Sequence, residues 1–268
     1  MAVGGLALRP AGDAAYAATP DRLPVVASVA TAGLPADGDA ESVLNAIAAR
    51  AAVLPDDTGS GRYARMDSEG WALWTRVDGE QVTSEVVPQR ATVWTAADGS
   101  GRLVSRRDGP GRDTDSTDET SAAGDRSLMW PLGSLSTDDA ELARQLEQSH
   151  PVDNGPAERL VAVTDLASEQ PLAPQVRAAV LRYLARTPGL TVDGIVTDRA
   201  GRRGVAVHVD TTMSGLPERR ALIIDPDDGR VLGAETLLTE TAGALNVPVP
   251  SVIGYTTFRS GRYTDDLR

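Results

Sequence analysis

The sequence offers few side chains that could act as a nucleophile or a general base. All 26 of its basic residues are Arg and it has no Cys, which excludes lysine Schiff bases, Walker A loops, thiolate nucleophiles and zinc–thiolate sites. The two His, His150 and His208, are not accompanied by a Gly-x-Ser-x-Gly motif. A catalytic zinc site takes about three protein ligands, more than two isolated His supply. We therefore expect a non-enzymatic protein with no cofactor and no metal ion.

Carboxylates are plentiful, at 38 Asp and Glu, and they leave one catalytic alternative open. A glycosidase-like hydrolase needs two acids opposed across a cleft, about 5–10 Å apart. Neighbours in sequence do not face each other, and the adjacent acid pairs fall in predicted turns, helix starts or the C-terminal tail: Asp56-Asp57, Asp138-Asp139, Asp227-Asp228 and Asp265-Asp266. A hydrolase would have to use two acids that are distant in the sequence.

A further group of acids lies in a Ser/Thr/Gly-rich segment at 108–127: Asp113, Asp115, Asp118 and Glu119. An EF-hand loop that started at Asp113 would need Gly at its sixth position and Glu at its twelfth. The sequence has Asp118 and Gly124 there. We expect 108–127 to form a mobile, solvated acidic loop, and whether it binds a cation stays open.

Length and charge limit the class of protein and its partners. The chain has 268 residues, a net charge of −12 and 41% hydrophobic residues. A single domain of this size buries about 75% of the surface of its unfolded chain, so it needs no disulfides. The negative charge repels phosphate backbones, so nucleic acid is not an expected partner.

The first 38 residues differ from the rest in composition. Met1–Leu8 is small and apolar, and the following residues are rich in Pro, Gly and Ala without a sustained period. No stretch approaches the roughly 20 apolar residues of a membrane span. We expect 1–38 to be a membrane-proximal linker, with Met1–Leu8 a remnant of a transmembrane helix, and 39–268 to be a single domain.

Two blocks of strands surround a block of helices in 39–268. Helical spacing of apolar residues predicts a helix over about 40–53 and three further helices beginning near Asp138, Pro156 and Pro174. Alternation predicts about nine strands joined by hairpin turns such as Asp78-Gly79, at about 62–78, 80–87, 90–97, 102–107, 190–197, 204–210, 219–225, 230–238 and 252–258. The predicted fold class is α+β, a curved, mostly antiparallel, half-barrel-like sheet of about nine strands covered by about four helices.

Large aromatic residues are the best candidates for a binding surface. Trp71, Trp74 and Trp94 lie on strands that are predicted to pair, and Tyr183 lies on the third helix of the helical block. Trp71 and Trp74 point to opposite faces of the sheet because they are three residues apart in a strand. We predict that these four residues line an apolar groove.

Four segments carry a resemblance to a known family: Leu172–Leu184, Val196–Val207, Leu222–Pro226 and Gly229–Gly233. Together they resemble a family of uncharacterised actinobacterial proteins known only by a locus-tag label, over about residue 40 to the C-terminus. The resemblance implies a short cytoplasmic stretch, one transmembrane helix and an ectodomain, and an association with envelope signalling. The order of elements is also similar to the half-barrels of LolA-type lipoprotein carriers and RseB-type stress sensors, which implies an apolar face for acyl chains or peptides.

These observations favour an extracytoplasmic, membrane-anchored binding or sensing domain that holds a lipid-like or peptide ligand. A protein–protein interaction ectodomain without a small ligand, with an envelope protein as its partner, is the first alternative. The carboxylate-dependent hydrolase is the second.

Overall fold

The computed structural model describes residues 16–36, 38–79, 81–108 and 115–268 of the chain. The strands in these ranges are β1 (Val25–Ala27), β2 (Tyr63–Asp78), β3 (Gln81–Ala96), β4 (Gly101–Arg107), β5 (Asp115–Ser121), β6 (Thr191–Thr197), β7 (Arg203–Thr211), β8 (Glu218–Ile224), β9 (Val231–Leu238) and β10 (Ser251–Thr264). The helices are α1 (Ala40–Ala52), α2 (Asp139–Glu147), α3 (Glu158–Glu169) and α4 (Pro174–Ala185). No helix in the described ranges is both long and apolar enough to cross a membrane.

All ten strands join one open antiparallel sheet, in the order β1-β6-β7-β8-β9-β10-β2-β3-β4-β5. The C-terminal strand β10 pairs with β9 on one side and with β2 on the other. It therefore connects the strand block that precedes the helices with the block that follows them. The predicted antiparallel α+β fold is confirmed.

The main core lies between the helices and one face of the sheet. Val205, Val207 and Val209 alternate along β7 and are buried in this core together with the apolar side of α1. His208 alternates with these valines and points to the opposite face, where its Nδ1 lies 2.9 Å from Asp193 Oδ2. Fully burying one Val or Leu side chain contributes about 1.5–3 kcal/mol, so this alternation fixes which face of the sheet the helices cover.

Strand β3 runs straight through Pro88, where two separate strands were predicted. The Pro88 carbonyl accepts a hydrogen bond from the Asp108 N–H at 3.0 Å, so Pro88 faces the β4 side. The last β3–β4 pair is Gln89 with Arg107. Pro88 therefore lies just past the end of this ladder, where a missing N–H breaks no hydrogen bond.

The prediction of a mobile acidic loop at 108–127 is wrong for Asp115–Ser121, which forms the edge strand β5. Arg102 on β4 donates from Nε and Nη2 to the two Asp118 carboxylate oxygens, both at 2.8 Å. Cross-strand ion pairs and backbone hydrogen bonds, rather than apolar contacts, hold this strand against β4. Charged side chains are a common feature of exposed sheet edges. Residues 109–114 of the predicted loop lie outside the described residues.

Part of the predicted linker is folded against the domain. Val25–Ala27 pairs with β6, and Leu23 packs on Val196, Ala206 and Ile223. These three side chains alternate with residues of the main core, so Leu23 covers the sheet face opposite the helices. Residues 1–15, including the predicted remnant of a transmembrane helix, lie outside the described residues.

Candidate ligand-binding cavity

A cavity of about 380 Å³ opens where the helix layer ends over the sheet. Its apolar wall comes from five elements, through Met66 of β2, Ala167 of α3, Val180 of α4, Val231 of β9 and Phe258 of β10. Pockets of about 300–1,000 Å³ with mostly apolar walls are typical of small-molecule sites. We call this space the corner cavity.

The connection between α3 and α4 forms one side of the corner cavity. Gln170 leaves the helical conformation, with φ −153° and ψ 151°, and the following Pro171 has no N–H to continue the helix. The buried Gln170 side chain donates from Nε2 to the Trp130 carbonyl at 3.1 Å. Gln170, Pro171 and Leu172 of this connection all line the cavity.

Arg177 closes the inner end of the corner cavity. Its side chain is 4% exposed, and it bridges three segments that are far apart in the sequence. Nη1 and Nη2 donate to the two Asp57 carboxylate oxygens at 2.9 and 3.1 Å. Nε donates to the Asp228 carbonyl at 2.9 Å and Nη1 to the Leu172 carbonyl at 3.1 Å. Bidentate guanidinium–carboxylate pairs of this kind are among the stronger hydrogen-bonded contacts in proteins.

Asp57 is shared between two arginines. Burial raises the pKa of the Asp57 carboxyl, but the hydrogen bond and charge of Arg177 and the charge of Arg230 outweigh it and hold that pKa below its usual value. Arg230 also donates to Asp57 and to Asp228. Asp57 therefore stays ionised at neutral pH and fixes both guanidinium groups at the wall of the cavity.

The opposite wall of the corner cavity is held by Arg202. Its Nη1 donates to the Phe258 carbonyl at 2.8 Å and its Nη2 to the Leu232 carbonyl at 2.9 Å. Nε donates to the buried carboxylate of Asp198 at 2.8 Å. These bonds connect the β6–β7 turn to β9 and β10, so the Phe258 region is held by more than its own strand ladder.

The arginines that line the corner cavity are all in ion pairs with carboxylates. Four arginines and two aspartates contribute to its surface: Arg177, Arg202, Arg230, Arg259, Asp57 and Asp225. Three of the arginines have a further carboxylate partner just outside this lining, Asp228 for Arg230, Asp198 for Arg202 and Glu69 for Arg259. No His is among the residues that line the corner cavity.

Two of the predicted binding residues lie on the sheet face opposite the helices, where both are buried. Trp71 packs edge-on against Tyr255, with ring centroids 5.8 Å apart. Trp94 lies between the guanidinium groups of Arg65 and Arg102, at 5.2 and 5.7 Å from its ring centroid. These contacts cover the rings, and neither residue lines the corner cavity.

The other two predicted binding residues are also separate from the corner cavity. Trp74 is 40% exposed and lies beyond Ala72, the last β2 residue that pairs with β10. Tyr183 is buried in the helix layer with the Arg159 guanidinium 4.8 Å from its ring centroid. Burial raises the pKa of the Tyr183 hydroxyl to about 12. The four predicted residues therefore do not converge on one site.

A buried His–carboxylate cluster connects α3 to the segment before it. His150 Nδ1 lies 2.7 Å from Glu158 Oε1, and Nε2 lies 3.5 Å from Asp165 Oδ2. The His150 ring stacks on Trp130, with centroids 5.7 Å apart. Burial raises the pKa values of Asp165 and of the neighbouring Glu169. This cluster does not line the corner cavity, and it is a contact between elements.

The charged residues of the corner cavity were missed because they meet only in the folded chain. One local feature could have identified Arg177: it lies three and seven residues before Val180 and Leu184, on the apolar side of α4. A charged residue at a core position of a helix requires a partner. In the described part of the chain, no group of three or more His, Asp or Glu is placed to hold a metal ion.

No model of a known protein family matches the sequence, and the search of curated proteins finds no match either.

Proposed function

We propose that this protein is a binding or sensing domain that holds a partly apolar small ligand in the corner cavity. The observation that carries the proposal is a space of about 380 Å³ with an apolar wall from five elements and with charged groups in its lining. Arg202 holds β9 and β10 by hydrogen bonds to their backbone carbonyls, and Arg177 of α4 holds the two adjacent connections in the same way. Such a site is largely formed before the ligand arrives, which lowers the ordering cost of binding.

The proposal keeps the expected cellular setting, an extracytoplasmic domain of a membrane-anchored protein with a role in envelope signalling. Support for this part comes only from the family resemblance. Protease treatment of intact cells tests it, because an extracytoplasmic domain is then degraded while a cytoplasmic control protein survives. Survival of the domain in intact cells, with degradation only after lysis, would refute the placement.

Titration with a neutral, environment-sensitive dye such as Nile red tests the binding function. We expect saturable binding with a fluorescence increase that Ala167→Leu abolishes, because three added carbons on α3 would occupy the cavity. Ala49→Leu is the matched control, since Ala49 is an exposed residue of α1. Equal binding by all three proteins, or no saturable binding at all, would contradict the proposal.

A second candidate function is a protein–protein interaction through the end of the β2–β3 hairpin. Two large apolar side chains are exposed there, Trp74 at 40% and Val77 at 66%. They are three residues apart in one strand, so each is exposed on a different face of the hairpin, and Trp is enriched among the residues that contribute most to protein–protein binding. A pull-down from envelope extracts, with Trp74→Ser as the control bait, tests this candidate. A partner retained by the wild type and lost with the variant would favour it over ligand binding.

A further inference from the structure

We propose that the sheet face opposite the helices binds an extended peptide segment of a partner protein through one large apolar side chain. Residues 16–24, which we call the strap, occupy the same groove and compete with that partner. In the described part of the chain, the groove and the corner cavity share no lining residue. A peptide site on this face would therefore exist whether or not the corner cavity holds a ligand.

The groove beneath the strap is an apolar band that crosses five neighbouring strands. Each strand from β6 to β10 contributes one apolar side chain to it: Val196, Ala206, Ile223, Leu237 and Val252. A space of about 120 Å³ is lined by these side chains and by Leu23 of the strap. Protein interiors contain few voids larger than a water molecule, so Leu23 fills the groove only in part. A partly filled groove favours exchange of the strap for a segment that fits better.

The strap lies over the groove without being buried in it. The structure describes all of residues 16–24, and none of them is buried. The Ala17 N–H donates to the Asn246 carbonyl at 3.0 Å, and the hydroxyls of Thr19 and Ser251 share a hydrogen bond at 2.6 Å. The two Pro residues of the strap have no N–H to donate to a neighbouring strand. A segment with so little buried surface is released at a low cost in free energy.

Arg199 supplies the contact by which the groove recognises a peptide backbone. Its Nη2 donates to the Asp21 carbonyl of the strap at 2.8 Å. Its Nε donates to Glu235 at 2.8 Å, and its guanidinium lies 4.7 Å from the Tyr255 ring centroid. These contacts with β9 and β10 hold Arg199 in place for a carbonyl from any extended segment. The partner is selected by a large apolar side chain two residues after that carbonyl, where the strap has Leu23.

Fluorescence anisotropy with a labelled synthetic peptide of residues 16–24 tests the proposal on the full-length protein. Leu23→Asp places a charge against the apolar groove, whereas Ala18→Asp adds the same charge at an exposed position of the strap. A tethered strap has an effective concentration on the order of millimolar. We therefore expect Leu23→Asp to bind the peptide about tenfold more tightly than the wild type or Ala18→Asp. Equal binding by the three proteins, or no saturable binding by a folded Leu23→Asp, would overturn the proposal.

An NMR titration of the wild type with the unlabelled peptide does not depend on the folding of any variant. At a peptide concentration on the order of millimolar, equal to that of the tethered strap, the Ala17 amide signal should lose about half its intensity at the docked position. The Val43 amide, which donates to the Asp39 carbonyl at the start of α1, should be unchanged. An Ala17 signal that stays unchanged at this concentration, or a loss that is equal for Ala17 and Val43, would overturn the proposal.

Discussion

Replacing Arg177 with Met tests how the corner cavity is held together. The substitution keeps most of the apolar stem of a side chain that is 4% exposed. It removes the donors to both Asp57 carboxylate oxygens and to the Leu172 and Asp228 carbonyls. These partners belong to the segment after α1, the α3–α4 connection and the β8–β9 turn, so three segments lose their common contact.

The expected destabilisation can be estimated from these contacts. Removing one member of a buried ion pair costs about 3–5 kcal/mol. Asp57 keeps Arg230 as a partner and its side chain is 33% exposed, so the lower end of that range applies. We expect a loss of about 3 kcal/mol in the free energy of unfolding, and a fall of roughly 6–12 °C in Tm for a domain of this size.

Urea unfolding and thermal melting of Arg177→Met and of Arg144→Met measure this difference. Arg144 and its partner Glu141 are exposed on α2, and loss of an exposed ion pair changes stability little. We expect no measurable change for this control. A midpoint for Arg177→Met that equals the Arg144→Met midpoint would refute the role of Arg177 as the contact between the three segments.

Two further predictions concern residues outside the corner cavity. Glu169 accepts a hydrogen bond from the Met129 N–H at 3.1 Å, and burial raises its pKa above the ordinary value of 4.5. The contribution of Glu169 to the free energy of unfolding is fully present below about pH 4.5, and it is lost as the pH rises through the pKa of Glu169 in the folded state. The free energy of unfolding of Glu169→Gln, measured by urea titration, should therefore rise relative to that of the wild type as the pH is raised from about 4 to about 7. A difference between the two proteins that stays constant over this range would contradict the prediction. Trp94→Ala should lower the free energy of unfolding by about 3–5 kcal/mol, while Trp74→Ala should change it little; equal losses would contradict the structural role of Trp94.

Most of the fold was predictable because it depends on local periodicity. The alternation of Val205, Val207 and Val209 identifies β7 and its buried face. Asp39 accepts a hydrogen bond from the Ser42 N–H at 2.9 Å and so caps α1 just before the predicted start of that helix. Two parts of the sheet were not predicted, because neither has the composition of a strand. Pro88 is accommodated in β3 because it lies past the end of the β3–β4 ladder, and Asp115–Ser121 forms a strand because it pairs with β4 at the sheet edge.

The candidate site was less predictable, because large aromatic residues are equally suited to a ligand and to a core. Trp94 is covered by Arg65 and Arg102, which a single strand pattern does not reveal. The arginines and Asp57 at the corner cavity come from segments more than 100 residues apart. The packing of α1 on α4 and the pairing of β10 with β2 and β9 together bring those segments to one corner.

The central claim is that the corner cavity holds a partly apolar ligand, and a crystal structure of the protein with decanoate tests it most directly. The account predicts density for the alkyl chain of decanoate between Met66 and Phe258. Density for decanoate elsewhere, with the Met66 and Phe258 side chains closed over the cavity, would contradict it.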